Sequence, residues 1–147
     1  VQTCALPILM PETRLILEQG RGLNGCAIEA AIAQWHRLAS AFSTFMADRD
    51  LLIVPATACA AFSLRQPPSL LGGRPVVPDW PSYAPFNMLG NLTGCPVATL
   101  PIALSPDRLP VGALIFAKLG QDELLLTALA EAEDLRGEFP LPVMPSR

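Results

Sequence analysis

Prolines divide the apolar residues of this chain into short runs, and this division limits what the chain can fold into. The richest apolar stretch, L-L-I-V-P-A-T-A-C-A-A-F, begins at Leu51 and is broken at Pro55. No run approaches the roughly 18 to 20 uninterrupted apolar residues that a membrane-spanning helix needs. With 147 residues, 51% of them hydrophobic and 16% charged, the chain is predicted to be one globular domain that buries a core and does not enter a membrane.

Three of the short apolar runs are predicted to be strands. The run L-L-I-V, from Leu51 to Val54, is typical of a strand buried on both faces. The runs Val97 to Leu100 and Val111 to Ala117 are joined through S-P-D-R-L-P, in which Ser followed by Pro favours a type I turn. These two runs are therefore predicted to pair as an antiparallel hairpin.

Two segments, Cys26 to Ala47 and Gln121 to Arg136, repeat apolar residues at the spacing of one helical face. The proline- and glycine-rich stretch from Ala56 to Ser82 lacks this spacing and is predicted to be a loop. The last helix is expected to place Leu125, Leu129 and Leu135 on its apolar face. The predicted helices are Pro11 to Gln19, Cys26 to Ala47, Tyr83 to Thr93 and Gln121 to Arg136.

The first residues are predicted to be foreign to the natural protein. V-Q-T-C-A-L-P-I can be encoded by GTT CAG ACG TGT GCT CTT CCG ATC, which matches the end of a common sequencing-adapter oligonucleotide. We therefore expect residues 1–9 to derive from an adapter and the gene to be truncated at that point. The alternative is an ordinary N-terminal strand.

Charge and cysteine content argue against several classes of function. The net charge is −3, and the nine arginines and one lysine form no basic stripe, so nucleic-acid binding is not expected. The four cysteines lack C-x-x-C spacing and the chain has one histidine, so neither a metal site nor a cofactor is expected. Free thiols and the lack of a signal-peptide pattern favour the cytoplasm.

No residue is predicted to be catalytic. Cys26 lies at a predicted helix start, where the helix dipole favours a thiolate, but His36 is about 15 Å further along the same helix. No serine occupies a G-x-S-x-G or S-x-x-K motif. Lys118, the only lysine, is predicted to be a solvated side chain at a strand end. A thiol enzyme that uses Cys26 or Cys95 is the weakest alternative.

Three segments and a closing helix occur in an informative order. The segments are D-L-L-I-V-P-A-T from Asp50, F-N-M-L-G-N-L-T-G-C-P-V-A-T-L-P from Phe86 and L-P-V-G-A-L-I-F-A-K from Leu109, and the helix contains D-E-L-L-L from Asp122. Together they resemble the C-terminal portion of the amidase signature family. The resemblance implies an α/β fold with a mixed sheet flanked by helices, and it implies that residues 10–147 are a fragment of a single amidase domain.

The resemblance also implies an activity and a set of pocket residues. Members of this family hydrolyse amide C–N bonds with a serine that is activated through a second serine and a lysine, while backbone N–H groups stabilise the oxyanion. The lysine and the Gly/Ser-rich oxyanion segment belong to the family's N-terminal part, so this chain alone is expected to be inactive and its parent to act on a small-molecule amide. The residues expected to line the substrate pocket are Thr57, Phe86, Asn87, Gly94, Cys95 and Pro96.

A second hypothesis is a natural short protein that starts near Met10 and keeps this fold as a non-catalytic binding or interaction module. The fragment hypothesis predicts poor solubility for the isolated chain, because a piece of a larger sheet exposes strand edges and apolar helix faces. The two hypotheses therefore differ in the solution behaviour that they predict.

Overall fold

Helices and short strands follow one another in small groups along the chain. A computed structural model describes residues 11–64, 66–76 and 80–140, so residues 1–9, expected to be adapter-derived, lie outside the described part. The order of elements is α1 (Pro11–Arg21), α2 (Gly25–Phe45), β1 (Leu51–Pro55), β2 (Leu70–Leu71), β3 (Arg74–Pro75), α3 (Trp80–Tyr83), α4 (Asn87–Thr93), β4 (Val97–Leu104), β5 (Pro110–Ala117) and α5 (Asp122–Arg136).

The chain divides into two units, Val1–Arg37 and Leu38–Arg147, and α2 runs through the division. In the first unit, the N–H of Leu23 donates to the Gly20 carbonyl at 3.2 Å where α1 ends. The Asn24 side chain caps α2, because its Oδ1 accepts the N–H of Ala27 at 2.9 Å. This bond satisfies one of the donors that a helix start leaves open.

A three-stranded antiparallel sheet, in the order β1-β5-β4, organises the second unit. The pairing of β4 with β5 confirms the predicted hairpin. The N–H of Arg108 donates to the Ser105 carbonyl at 2.8 Å and closes its turn, and Arg108 takes a positive φ of 60°. The register shifts between Pro101 and Ala103, and Arg136 of α5 donates its Nη1 to the Pro101 carbonyl at 3.0 Å.

Helices pack against both faces of this sheet, because neighbouring residues of β5 point to opposite sides. Leu114 and Phe116 pack against Phe42 and Met46 at the end of α2. On the other face, Ile115 and Ala117 pack with Leu100 of β4 and Leu125 of α5. The second unit is therefore a helix–sheet–helix arrangement, which confirms the α/β class. Within the described residues, no helix combines the length and the apolar character required to cross a membrane.

Two expectations about burial were wrong. The strand β1 was expected to be buried on both faces, but it lies at an edge of the sheet and Ile53 is 63% exposed. The cause is that α5 packs on β4 and β5. Leu135 was expected on the buried face of α5, but it is 90% exposed. The packed face of α5 consists of Leu125, Leu129 and Ala132.

The stretch predicted to be a loop contains secondary structure. The strands β2 and β3 pair as a small antiparallel hairpin. Gly72 and Gly73 form its turn with φ values of 55° and 78°, and two consecutive positive φ angles suit the tight turn of a hairpin. The helix expected from Tyr83 to Thr93 is shorter than predicted, because Tyr83 ends α3 and α4 begins only at Asn87. Gly94 follows the last residue of α4 as predicted.

Candidate functional site

The G-C-P turn, which consists of Gly94, Cys95 and Pro96, connects α4 to β4 and is held by hydrogen bonds. Gly94 takes the left-handed conformation, with φ 70°, and its N–H donates at 2.8 Å to the carbonyl four residues earlier. The Thr93 hydroxyl donates to the carbonyl of Leu89 at 2.8 Å and accepts the N–H of Cys95 at 3.3 Å. The Pro96 carbonyl accepts a main-chain N–H from the end of β5 at 3.1 Å. The turn is therefore fixed at its helix end and at its strand end.

An open cavity of about 370 Å³ borders this turn. At its edge, Lys118 donates its Nζ to the Ala47 carbonyl at 3.2 Å and lies 3.8 Å from the Asp50 carboxylate. These two contacts hold the end of the Lys118 side chain at the edge of the cavity. The lining residues come from the end of α2, the turn and the end of β5: Ala39, Ser43, Met46, Ala47, Thr93, Cys95, Lys118 and Leu119.

Thr57 lies towards the opposite end of the sheet. It follows β1, whose last residue, Pro55, pairs with Ala113, whereas β4 begins opposite Phe116. Three residues of strand correspond to about 10 Å. The Thr57 hydroxyl donates to the Cys59 carbonyl at 2.8 Å.

The end of α3 lies beside the segment that contains Thr57, since the N–H of Ala58 donates to the Tyr83 carbonyl at 2.8 Å. Phe86 and Asn87 follow three and four residues later at the start of α4. The sheet register and this contact therefore separate the predicted pocket residues into two groups. One group contains Thr57, Phe86 and Asn87, and the other is the G-C-P turn. That the two groups line one substrate pocket stays a prediction.

The side-chain oxygen of Asn87 is a buried hydrogen-bond acceptor. This atom, Oδ1, has no hydrogen-bond partner among the described residues. A buried acceptor without a partner costs about 1–3 kcal/mol. Phe86, the residue before it, is 37% exposed. The start of α4 thus combines an accessible aromatic ring with an acceptor that would be stabilised by a donor.

Two further candidates from the sequence, Cys26 and His36, belong to the first unit. Cys26 and His36 are exposed on α2, and the His36 ring centroid is 5.8 Å from that of Trp35. Cys26, Cys59 and Cys95 are free thiols. Across the described ranges, no three His, Cys, Asp or Glu side chains are placed to hold a metal ion.

Sequence reasoning missed the contribution of α2 to the cavity, which is made by Ala39 and Ser43 in the helix and by Met46 and Ala47 directly after it. The contact between Lys118 and Ala47 joins residues 71 positions apart in the chain. No local pattern marks such a contact, because it depends on how the end of α2 and the end of β5 meet over the sheet.

Comparison with known proteins identifies the family. The family profile described as Amidase matches residues 8–126, which is most of the chain. The chain belongs to the amidase family. It is 36% identical over 125 residues to an acylamidase of Rhodococcus erythropolis, a match that covers 82% of this chain and 25% of the acylamidase. The chain therefore spans about a quarter of this relative.

Solved structures of amidases share the fold. A crystal structure of an amidase superposes with a TM-score of 0.77 at 23% identity and covers 87% of this chain and 29% of the other. The structure of 6-aminohexanoate cyclic dimer hydrolase complexed with substrate gives a TM-score of 0.64 at 23% identity, with 86% and 29% covered. These matches confirm the α/β fold of the family for this chain.

Proposed function

We propose that this chain is part of a hydrolase that cleaves the C–N bond of a small amide. The observation that carries the proposal is the family match over residues 8–126. The Rhodococcus relative is named an acylamidase, and the 6-aminohexanoate cyclic dimer hydrolase is known in complex with its substrate. Both names support an amide as the substrate class.

The serines and the lysine that cleave the amide lie, in this proposal, in a part of the domain outside this chain. The hydroxyls of Thr57 and Thr93 each donate to a main-chain carbonyl, and so do those of Thr44 and Thr127. The Nζ of Lys118 donates to the Ala47 carbonyl and forms an ion pair with the Asp50 carboxylate. These groups stabilise local structure, and a hydroxyl nucleophile needs a neighbouring base. The isolated chain is therefore inactive.

The substrate pocket of the complete domain is lined by residues that this chain contributes. The unpartnered Oδ1 of Asn87 supports a role for the start of α4, because an amide N–H is a suitable donor for a buried acceptor. The fixed geometry of the G-C-P turn supports a role for this turn in shaping the wall of the substrate pocket. The proposed residues are Thr57, Phe86, Asn87, Gly94, Cys95 and Pro96.

The proposal includes the origin and the location of the chain. Residues 1–9 derive from an adapter, and residues 10–147 are the C-terminal fragment of a single amidase domain. The match to about a quarter of the acylamidase supports the fragment. A cytoplasmic location is supported by the free thiols of Cys26, Cys59 and Cys95.

The test joins residues 10–147 to the rest of the Rhodococcus acylamidase, in place of the segment that they match. The joined protein should release the amine of a small acyl amide, whereas the 147-residue chain alone should release none above the buffer rate. Turnover by the chain alone would refute the placement of the catalytic groups. A folded joined protein without turnover would refute the hydrolase and favour the binding module.

A further inference from the structure

The cavity beside the G-C-P turn brings a thiol and an ammonium together. The register of β4 on β5 pairs Val97 with Phe116. A hydrogen bond of 3.1 Å between the next N–H of β5 and the last carbonyl of the turn continues this pairing. Continued by one more residue, the register places Cys95 across from Lys118, and side chains at facing positions of antiparallel strands lie about 5 Å apart. Both residues line the cavity of about 370 Å³.

The Lys118 ammonium retains donors that a ligand can use. Its Nζ donates to the Ala47 carbonyl at 3.2 Å. The Asp50 carboxylate is 3.8 Å away, which is longer than a hydrogen bond, and its side chain is 85% exposed. Water weakens the attraction between exposed charges, so Asp50 compensates little of the positive charge. Because an ammonium has three N–H donors, two of them remain for an acceptor in the cavity.

The walls of the cavity define what kind of molecule fits. Lys118 is the one charged side chain among the described residues that line it, and the Ser43 hydroxyl adds a polar group. Met46, Leu119 and two alanines supply apolar surface. A volume of about 370 Å³ lies at the small end of the range for ligand pockets. The cavity therefore suits a small molecule with one negative charge and a short apolar chain.

We propose that this cavity binds a short aliphatic monocarboxylate, whose carboxylate pairs with Lys118 and whose chain lies against Met46 and Leu119. A carboxylate accepts hydrogen bonds from an ammonium, and such charged hydrogen bonds are stronger than neutral ones. A phosphate dianion suits the cavity less well, because one ammonium cannot compensate two charges beside apolar walls. The inference goes beyond the proposed function, which concerns an amide and requires no carboxylate at this end of the sheet.

Cysteine alkylation tests the inference with the full 147-residue chain, because Cys95 reports on what enters the cavity. The probes are iodoacetate, a carboxylate, and iodoacetamide, its neutral counterpart. Each forms a C–S bond through its CH₂ carbon and releases iodide, and peptide mass spectrometry gives the rate at each cysteine. The ratio of the iodoacetate rate to the iodoacetamide rate should be at least about fivefold higher at Cys95 than at Cys59, because a nearby ammonium attracts the carboxylate. Cys59 is also partly exposed and does not line the cavity.

Lys118→Gln should lower the ratio at Cys95 to that at Cys59, because it removes the positive charge. A change in the thiolate fraction alters both rates alike, so it cancels in the ratio. Arg49→Gln is the matched control, because it also removes a positive charge near the end of α2, but Arg49 binds Asp48 and does not line the cavity. The control should keep the wild-type ratio. Circular dichroism of both variants checks that the fold is retained.

Competition identifies the class of ligand. Butyrate should protect Cys95 from iodoacetamide, whereas butyramide and inorganic phosphate should not. Four results would overturn the inference: equal ratios at Cys95 and Cys59, an unchanged ratio in Lys118→Gln, protection by butyramide or phosphate as strong as that by butyrate, or no labelling of Cys95 until the chain is unfolded in urea. Labelling requires no turnover, so its outcome is independent of the test of the hydrolase proposal.

Discussion

At the scale of single residues, Gly90 determines how closely α4 approaches β4. A Cβ atom added at Gly90 would lie 2.8 Å from Val97 Cγ1 and 3.7 Å from the Phe116 ring. Val97 is β-branched and has little freedom to turn its methyl groups away. Gly90 itself lies inside a helix, so the requirement for glycine comes from packing rather than from an unusual φ.

Gly90→Ala should lower the free energy of unfolding by about 1–3 kcal/mol, the usual cost of overpacking a core. This loss is expected although alanine is the better helix former. Chemical denaturation followed by circular dichroism measures it. Gly20→Ala in α1 is the control, because nothing lies within 4 Å of the added Cβ. Equal stability of the two variants would show that α4 moves away from Val97 at no cost.

At the scale of elements, the two ends of α2 depend on different contacts. One contact is local in the sequence and the other joins residues that are far apart in the chain. Its beginning is determined by Asn24, whose side chain accepts the N–H of Ala27 at 2.9 Å. Its end is determined by the sheet, where Phe42 and Met46 enter the core. The start is thus a property of neighbouring residues, while the buried end depends on strands that lie later in the chain.

Asn24→Ala should weaken the first turn of α2 by about 1 kcal/mol, the typical value of an N-cap. Hydrogen exchange of the Ala27 amide is the direct measurement, and it should become faster by about fivefold to tenfold. Asn91→Ala is the control, because Asn91 is exposed within α4. Unchanged exchange at Ala27 in the first variant would contradict the cap.

At the scale of the whole molecule, the sheet ends at β1 and β4 among the described residues. Edge strands present unpaired N–H and C=O groups, and proteins protect them with charges, bulges or covering elements. Arg136 binds the carbonyl at the β4 bulge. On β1, Ile53 is an apolar side chain that is 63% exposed. The β1 edge is therefore a surface that can pair with a strand of another chain.

The isolated chain should be poorly soluble, and Ile53→Lys should raise its soluble fraction at least twofold, because a charge on an edge strand opposes strand pairing. Sedimentation of the refolded chain measures the soluble fraction. Gln66→Lys adds the same charge in an exposed loop and should have a smaller effect. A wild-type chain that melts sharply without aggregating would contradict the fragment proposal.

The predicted pocket residues show how much of the candidate site could be predicted from the sequence. The family resemblance predicted that Thr57, Phe86 and the G-C-P turn line the pocket. The sequence could not show that Thr57 and the turn lie towards opposite ends of the sheet, since this follows from the register of β1 and β4 on β5. Nor could it show the unpartnered oxygen of Asn87, which depends on the packing around α4.

Features that depend on neighbouring residues along the chain could be predicted from the sequence. Helical spacing predicted α2 and α5, and Pro11 with the glycine-containing loop from Gly20 predicted α1. The Ser-Pro turn predicted the pairing of β4 with β5, and three ordered segments identified the family. The tertiary structure alone decided that β1 lies at an edge, that Leu135 is exposed and that Lys118 binds Ala47. Periodicity reports which side of an element is apolar, whereas burial depends on which distant element covers that side.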